Sequence, residues 1–194
     1  TPLGVLTITG STTIKANITT NDANITFGSP VTLGENVAIN SGTGDIEFAG
    51  TVTGAKNLTL VVKKITIDGA VNLNNLTLTN SGEAVFNGDV DVNDLITGDT
   101  NTTIKLYGDA NTFTEQVDFE NTGEVHLGNN NDDTSTFNGG VTCSGNATVY
   151  LHGKIATSTD SIHFGTGAVK LSGDTEITTQ QSGYAGSVTF GGTL

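Results

Sequence analysis

A segment of the form apolar, any residue, apolar, closed by a small or turn residue, returns along this chain at Leu6, Ile25, Ile46, Ile65, Ala84, Ile104, Val125, Val149, Val169 and Val188. The spacing stays near 20 residues, with one longer interval between Val125 and Val149. A period of that length is the signature of a solenoid, whose repeats cannot bury an apolar face alone and do so by stacking on their neighbours. Two further short strands follow within each period. The second begins at Val31, Val52, Val71 and Val90, and the third at Ile18, Val37, Leu58, Leu76 and Leu95. Three strands and three corners make one coil.

The columns of the aligned repeats give the inside and the outside. Two positions into the first strand stand Ile8, Phe27, Phe48, Ile67, Phe86, Leu106, Leu127, Leu151, Leu171 and Phe190, all large and apolar. Between them and the strand start lie Thr7, Thr26, Glu47, Thr66, Val85, Lys105, His126, Tyr150, Lys170 and Thr189, mostly polar or amphipathic. This is the period-two alternation of a strand with one buried face. The third strand repeats it with Ile39, Leu60, Leu78, Phe119, Cys143 and Phe164 inside. Glycine and asparagine at the corners (Gly28, Gly69, Gly88, Gly108, Asn40, Asn57, Asn75) are expected to supply left-handed backbone for tight turns. The reading is an all-β chain: one parallel β-helix, or β-solenoid, over residues 1–194, of about nine coils with three short strands each and no helix.

Units such as VAINSGTGDIEFAGTVTGAKN and LTLTNSGEAVFNGDVDVND resemble the repeats of bacterial filamentous-haemagglutinin-type adhesins and autotransporter passengers. That resemblance implies a right-handed parallel β-helix exported to the cell surface. The chain shows neither the amino-terminal secretion domain of that family nor a membrane barrel.

Charge narrows the partners. Twenty acidic residues stand against seven lysines and no arginine, for a net charge of −13. Such a surface repels nucleic acid and anionic membrane. The most apolar stretch, Leu58 to Ile67, is cut by Lys63 and Lys64, too short to span a bilayer. The chain has no methionine, so Thr1 is expected to mark a processed product or an excised fragment. A single cysteine, Cys143, excludes an internal disulfide, and its inward column makes it a small buried hydrophobe.

Catalytic chemistry finds no foothold in this pattern. Carbohydrate-active β-helix enzymes need clustered carboxylates, usually with a cation, on one face of neighbouring coils. Here Glu47, Asp91 and Asp118 fall on different strands or distant coils, and His126, His152 and His163 are too far apart in sequence to form a metal pair. Tyr107, Tyr150 and Tyr184 are scattered, which argues against an exposed aromatic row for sugars. No catalytic residue is expected.

Three constellations remain. GNNNDDTST, from Gly128 to Thr136, accounts for the long interval as a corner insertion. Its Asp132 and Asp133, with Asp89 and Asp91 of a second acidic run, are the candidate ligands for calcium, which favours hard oxygen donors. Solvated turns account for the same residues without a metal. Asn17, Asn24, Asn57, Asn75, Asn101 and Asn146 each begin Asn-x-Thr and are formal N-glycosylation acceptors. A repeat that ends a strand in asparagine and opens the next with apolar-Thr generates that pattern by itself. Outward threonines (Thr7, Thr13, Thr26, Thr32, Thr53, Thr66, Thr189) suggest an ice-binding array, but Glu47, Lys105 and Lys170 interrupt it.

The first repeat starts at Leu6, and VTF at Val188–Phe190 reads as the start of an incomplete tenth coil. Open coil ends offer strand edges and core to another chain. The expected function is a non-enzymatic extracellular structural or adhesive protein. Its expected partners are copies of itself in a surface fibre or stalk, or else a surface glycan.

Overall fold

The computed structural model describes residues 3–79, 82–181 and 184–194. Twenty-three of its strands form one continuous sheet wound into a parallel β-solenoid, with no helix among the described residues. The first face stacks Leu6, Ile25, Ile46, Ile65, Ala84, Ile104, Val125, Val149 and Val169 in register. Nine rungs on this face enclose eight turns of the coil, at the period expected from sequence. The second face carries Thr13, Thr32, Thr53, Asn72, Asp91, Thr112, Thr136, Ala156 and Thr178 as one outward column. The third face runs from Ile18–Thr19 to Val188–Phe190.

The core is the sum of the inward columns. Phe27, Phe48, Phe86, Leu106, Leu127 and Leu151 on the first face are wholly buried, as are Ile39, Leu60 and Phe119 on the third. Aromatic rings stack from rung to rung inside: Phe27 on Phe48 at 4.7 Å between centroids, and Phe113 on Phe137 at 4.9 Å. Two buried polar residues interrupt the second-face valine column. Asn111 and Ser135 are buried, and Asn111 Oδ1 accepts the Val90 backbone N–H at 3.0 Å while its amide donates to Gly108 O at 3.1 Å. The side chain stands in for a ladder partner, which lets an amide occupy a core position.

The strand Val188–Phe190 departs from the sequence reading. It pairs with Ile162–Phe164 on the third face, so the last rung is complete on all three faces rather than a tenth coil begun. Two irregularities displace it. A bulge shifts the register between Leu151/Leu171 and Gly153/Thr175, and an antiparallel ribbon of Gln180–Gln181 with Tyr184–Ala185 follows. Leu171, expected inside, is 58% exposed on this last rung.

The corner glycines also serve a different purpose from the one expected. Among the described residues, positive φ occurs at Gly42, Gly54, Gly128, Gly140, Gly153 and Asp22, and not at Gly28, Gly69, Gly88 or Gly108. A Cβ at Gly69 would lie 2.4 Å from Gly50 C, at Gly88 2.6 Å from Gly69 C, and at Gly108 2.6 Å from Asp89 Cα. These glycines let successive corners touch backbone to backbone. The corner asparagines work through their amides instead. Asn74 donates to Asn57 Oδ1 at 2.8 Å and Asn93 to Asn74 Oδ1 at 2.7 Å, a ladder along the axis.

Gly88→Ala is therefore expected to lower stability by about 1–3 kcal/mol through overpacking against fixed backbone. Gly28→Ala, where the nearest atom lies 3.6 Å from the added carbon, is expected to fall within about 0.5 kcal/mol of the parent. Urea unfolding midpoints of the two variants measure the contrast, and equal midpoints would remove the close-approach account.

Candidate functional site

In a parallel solenoid, side chains at one column position recur at the strand spacing of about 4.8 Å, so outward residues of successive rungs touch. On the first face this brings together residues about 20 apart in sequence. Lys64 Nζ lies 3.0 Å from Glu83 Oε2, and Lys105 Nζ, one rung further on, lies 2.5 Å from Glu83 Oε1. The hydrogen bond from Lys105 holds the Glu83 carboxyl below its ordinary value, and Glu83 in turn raises the Lys105 ammonium.

The ladder continues with Glu124, His126, Tyr150 and Lys170. His126 Nε2 is 2.9 Å from Glu124 Oε2, and Tyr150 Oη donates to Glu124 Oε1 at 3.3 Å. The contact with His126 lowers the Glu124 carboxyl most. The His126 ring lies parallel on Tyr150 at 4.4 Å and 8°, Tyr107 meets His126 edge-on at 6.3 Å, and Lys170 Nζ sits 5.0 Å from the Tyr150 ring centre. Burial raises the Tyr107 phenol. Sequence spacing made these tyrosines look scattered, but coil register gathers Tyr107 and Tyr150 around one histidine. Aligning the repeats by column would have shown it. The Tyr184 side chain lies outside the described residues.

This geometry decides what the ladder can do. The His126 and Tyr150 faces are turned to each other, and Lys170 lies beside Tyr150, so the cluster does not offer an open aromatic platform to a sugar. Both of its glutamates are held ionised, which suits ion pairing and not proton donation. Cys143 is 1% exposed, with its thiol pushed up to about 12 by burial, so it is a poor nucleophile. Asp94 is raised by burial and, next, by Glu115, beside a shallow hollow that Asp118 and Glu120 also line.

The second concentration of polar groups is the corner between the first and second faces. The insertion places Asp132 at the surface and Asp133 inside, where Asp133 Oδ2 accepts the N–H groups of Asn129 at 2.7 Å and Asn130 at 3.0 Å. Asp133 thus closes its own turn. Asp89 accepts the Ala110 N–H at 2.9 Å, and Asp91 the Asn72 amide at 3.0 Å, two rungs away from the insertion. Among the described residues no group of three or more His, Cys, Asp or Glu side chains is placed to hold a metal ion. Asn131, on the insertion, accepts from His152 Nε2 at 2.7 Å and donates to Asp174 Oδ2 at 3.3 Å.

The sequon asparagines sit at corners. Asn17 Oδ1 accepts the Ala38 N–H at 2.8 Å, Asn24 Oδ1 that of Asp45 at 2.9 Å, Asn57 Oδ1 the Asn74 amide, and Asn146 Oδ1 the Thr166 hydroxyl. Asn75 is half-buried opposite Asp94 in the ladder, and Asn101 is exposed.

The lowered carboxyls give a signed pH dependence. A group whose folded value lies below its unfolded value of 4.5 contributes stability above that pH and loses it as pH falls through the folded value. Glu83→Gln is thus expected to cost about 0.5 kcal/mol at pH 7, at the scale of a partly exposed ion pair, and less at about pH 2.5. Urea titrations at about those two pH values read it. Cys143 is expected to react with a disulfide reagent only at the rate of unfolding, and prompt labelling of folded protein would refute its burial. No family model matches the sequence, nor does any curated protein or solved structure, so the parallel β-solenoid is the level at which the chain is classified.

Proposed function

We propose that the chain is a non-enzymatic structural and adhesive solenoid of the cell exterior, a segment of a surface fibre or stalk of the filamentous-haemagglutinin kind. One observation supports it most. Leu151 is fully buried with Leu127 and Leu171 on either side, whereas on the last rung Leu171 of the first face is 58% exposed and Val188 of the third face 39%. At the opposite end Leu3 is 50% exposed, and the inward Leu6 and Ile8 are only partly buried. Each end offers the apolar columns and in-register strand edge that every inner rung uses to hold its neighbour, and burying a leucine contributes roughly 1.5–3 kcal/mol. Heterologous stacking of this kind does not close on itself and extends into a filament. In this reading a further parallel rung covers Leu171, and in the purified chain a second copy supplies it.

The outward faces agree with a load-bearing role. Charges on the first face are paired along the axis, and corner amides bridge coil to coil, so lateral surfaces add axial cohesion. A net charge of −13 keeps such rods apart sideways while the ends meet.

Electron microscopy of the purified chain over a range of concentrations tests this. The expected result is thin fibres with an axial repeat of roughly 40 Å, nine rungs at about 4.8 Å each. Leu171→Lys is expected to leave single rods, while Thr32→Lys on a lateral face leaves fibres. Discrete rods from the parent chain at every concentration would end the self-assembly reading.

A further inference from the structure

Corner length varies in one place in a way that shapes the surface. Between the first-face and second-face strands, the chain uses three residues in the sixth rung (107–109), six in the seventh (128–133), two in the eighth (His152 and Gly153) and four in the ninth (172–175). The shortest of these corners lies between the two longest. The result is a trough over the eighth rung. Gly153, at φ 76°, forms its floor, where a Cβ would lie 2.3 Å from Asp133 O.

The two raised corners meet above that floor. Asn131 of the seventh rung donates to Asp174 of the ninth at 3.3 Å, passing over the eighth, and His152 braces Asn131 from below at 2.7 Å. Further along, Lys154 Nζ of the eighth rung pairs with Glu176 Oε1 of the ninth at 3.2 Å. The open hollow beside these contacts measures about 340 Å³ and is lined by Asn131, Gly153, Lys154, Asp174, Thr175 and Glu176. A second hollow of about 260 Å³ on the second face shares Lys154 with it and is lined by Ala156 together with hydroxyls and an amide, including Thr136, Asn138, Ser158 and Thr178.

We propose that this trough binds a neutral oligosaccharide. The proposal rests on the adhesive half of the function proposed above and gives it a site. The lining eliminates the other ligand classes. The first hollow has no apolar side chain to anchor a peptide. Asp174 and Glu176 on its wall repel phosphates and acidic sugars. Among the described residues no third Asp, Glu, His or Cys side chain converges with these carboxylates, which leaves a metal short of charged protein ligands. What remains is an alternation of ionic acceptors (Asp174, Glu176), an ionic donor (Lys154) and amide or hydroxyl groups that take either role. A sugar hydroxyl both donates and accepts, and charge-assisted hydrogen bonds to it are the strong kind. The volume admits one or two sugar rings and lies at the small end of ligand sites. Insertions confined to one side of a solenoid commonly mark the binding face.

Saturation-transfer NMR of the full chain tests this with a panel of neutral di- to tetrasaccharides of glucose, galactose and mannose, each at about 5 mM, within reach of weak affinities. At least one panel member is expected to bind, and its affinity is expected to fall at least tenfold in the Asp174→Asn/Glu176→Gln double variant and at least threefold in Lys154→Gln. Glu47→Gln, a carboxylate on the same solenoid far from the trough, is expected to bind as the parent does. Far-ultraviolet circular dichroism establishes that each variant is folded. No transfer to any panel member overturns the proposal, as does binding that ignores the trough variants, or stronger binding of an acidic oligosaccharide or a basic peptide. Fibres in the microscope with no sugar bound would remove this site and leave the structural role. Sugar bound by single rods would do the reverse.

Discussion

Every inner rung of this molecule takes its backbone partners from the rung before it and the rung after it, and that in-register parallel ladder is the interaction on which everything else depends. Among the described residues the one antiparallel pairing is the short ribbon of Gln180–Gln181 with Tyr184–Ala185. Because a parallel ladder repeats the same position at each step, it forces like onto like. Phe27 lies on Phe48, Ile46 on Ile65, and Thr13 on Thr32. A residue that suits one rung suits its neighbours, which is why the chain can be nearly periodic without being identical.

The same constraint explains how polar groups are tolerated. A coil this narrow puts corners next to the core, and the inward corner side chains must satisfy backbone left over by the turns. Ser41 donates to Gly44 O, Thr20 to Ala23 O and Thr157 to Asp160 O, each three residues on. Thr97 occupies an inward third-face position yet donates to Asp118 O and accepts the Glu120 N–H, both at 3.0 Å. Asn121 follows the pattern with its amide, bonded to Thr102 O and Glu124 O, although its Oδ1 is buried with no protein partner. Outside, the ladder imposes no chemistry of its own. The outward columns are free to hold ion pairs on the first face and hydroxyls on the second.

Fold was legible in the sequence because burial has a column logic: one inward position filled by Phe27, Phe48, Phe86 and Leu106 at the same phase can hardly be anything but stacked strands. Function was less so, because the outward columns are read across rungs. Tyr107, His126 and Tyr150 meet although 19 and 24 residues part them, and Lys105 reaches back 22 residues to Glu83. Glycine misled in another way. Its two uses, positive φ and absence of a Cβ, look identical in a sequence, and only the distance from Gly88 to the preceding corner tells them apart.

The last rung shows how a period can conceal its own interruption. From Val149 to Val169 the first-face interval is an ordinary 20 residues, so the coil looks regular where alignment by first strands samples it. The extra residues enter afterwards, two at the bulge beyond Leu171 and the rest at the ribbon, and the third-face interval from Ile162 to Val188 grows to 26. That delay places Val188 19 residues after Val169, where a tenth first strand would fall. The insertion in the seventh rung lacks this disguise because its added residues precede every later first strand and shift them all. A perturbation of a solenoid is visible at the face sampled downstream of it. The two that bound the trough, one upstream and one downstream of the sampled column, were for that reason unequal in sequence and equal in consequence: each raises a corner wall, and the short corner between them becomes the floor.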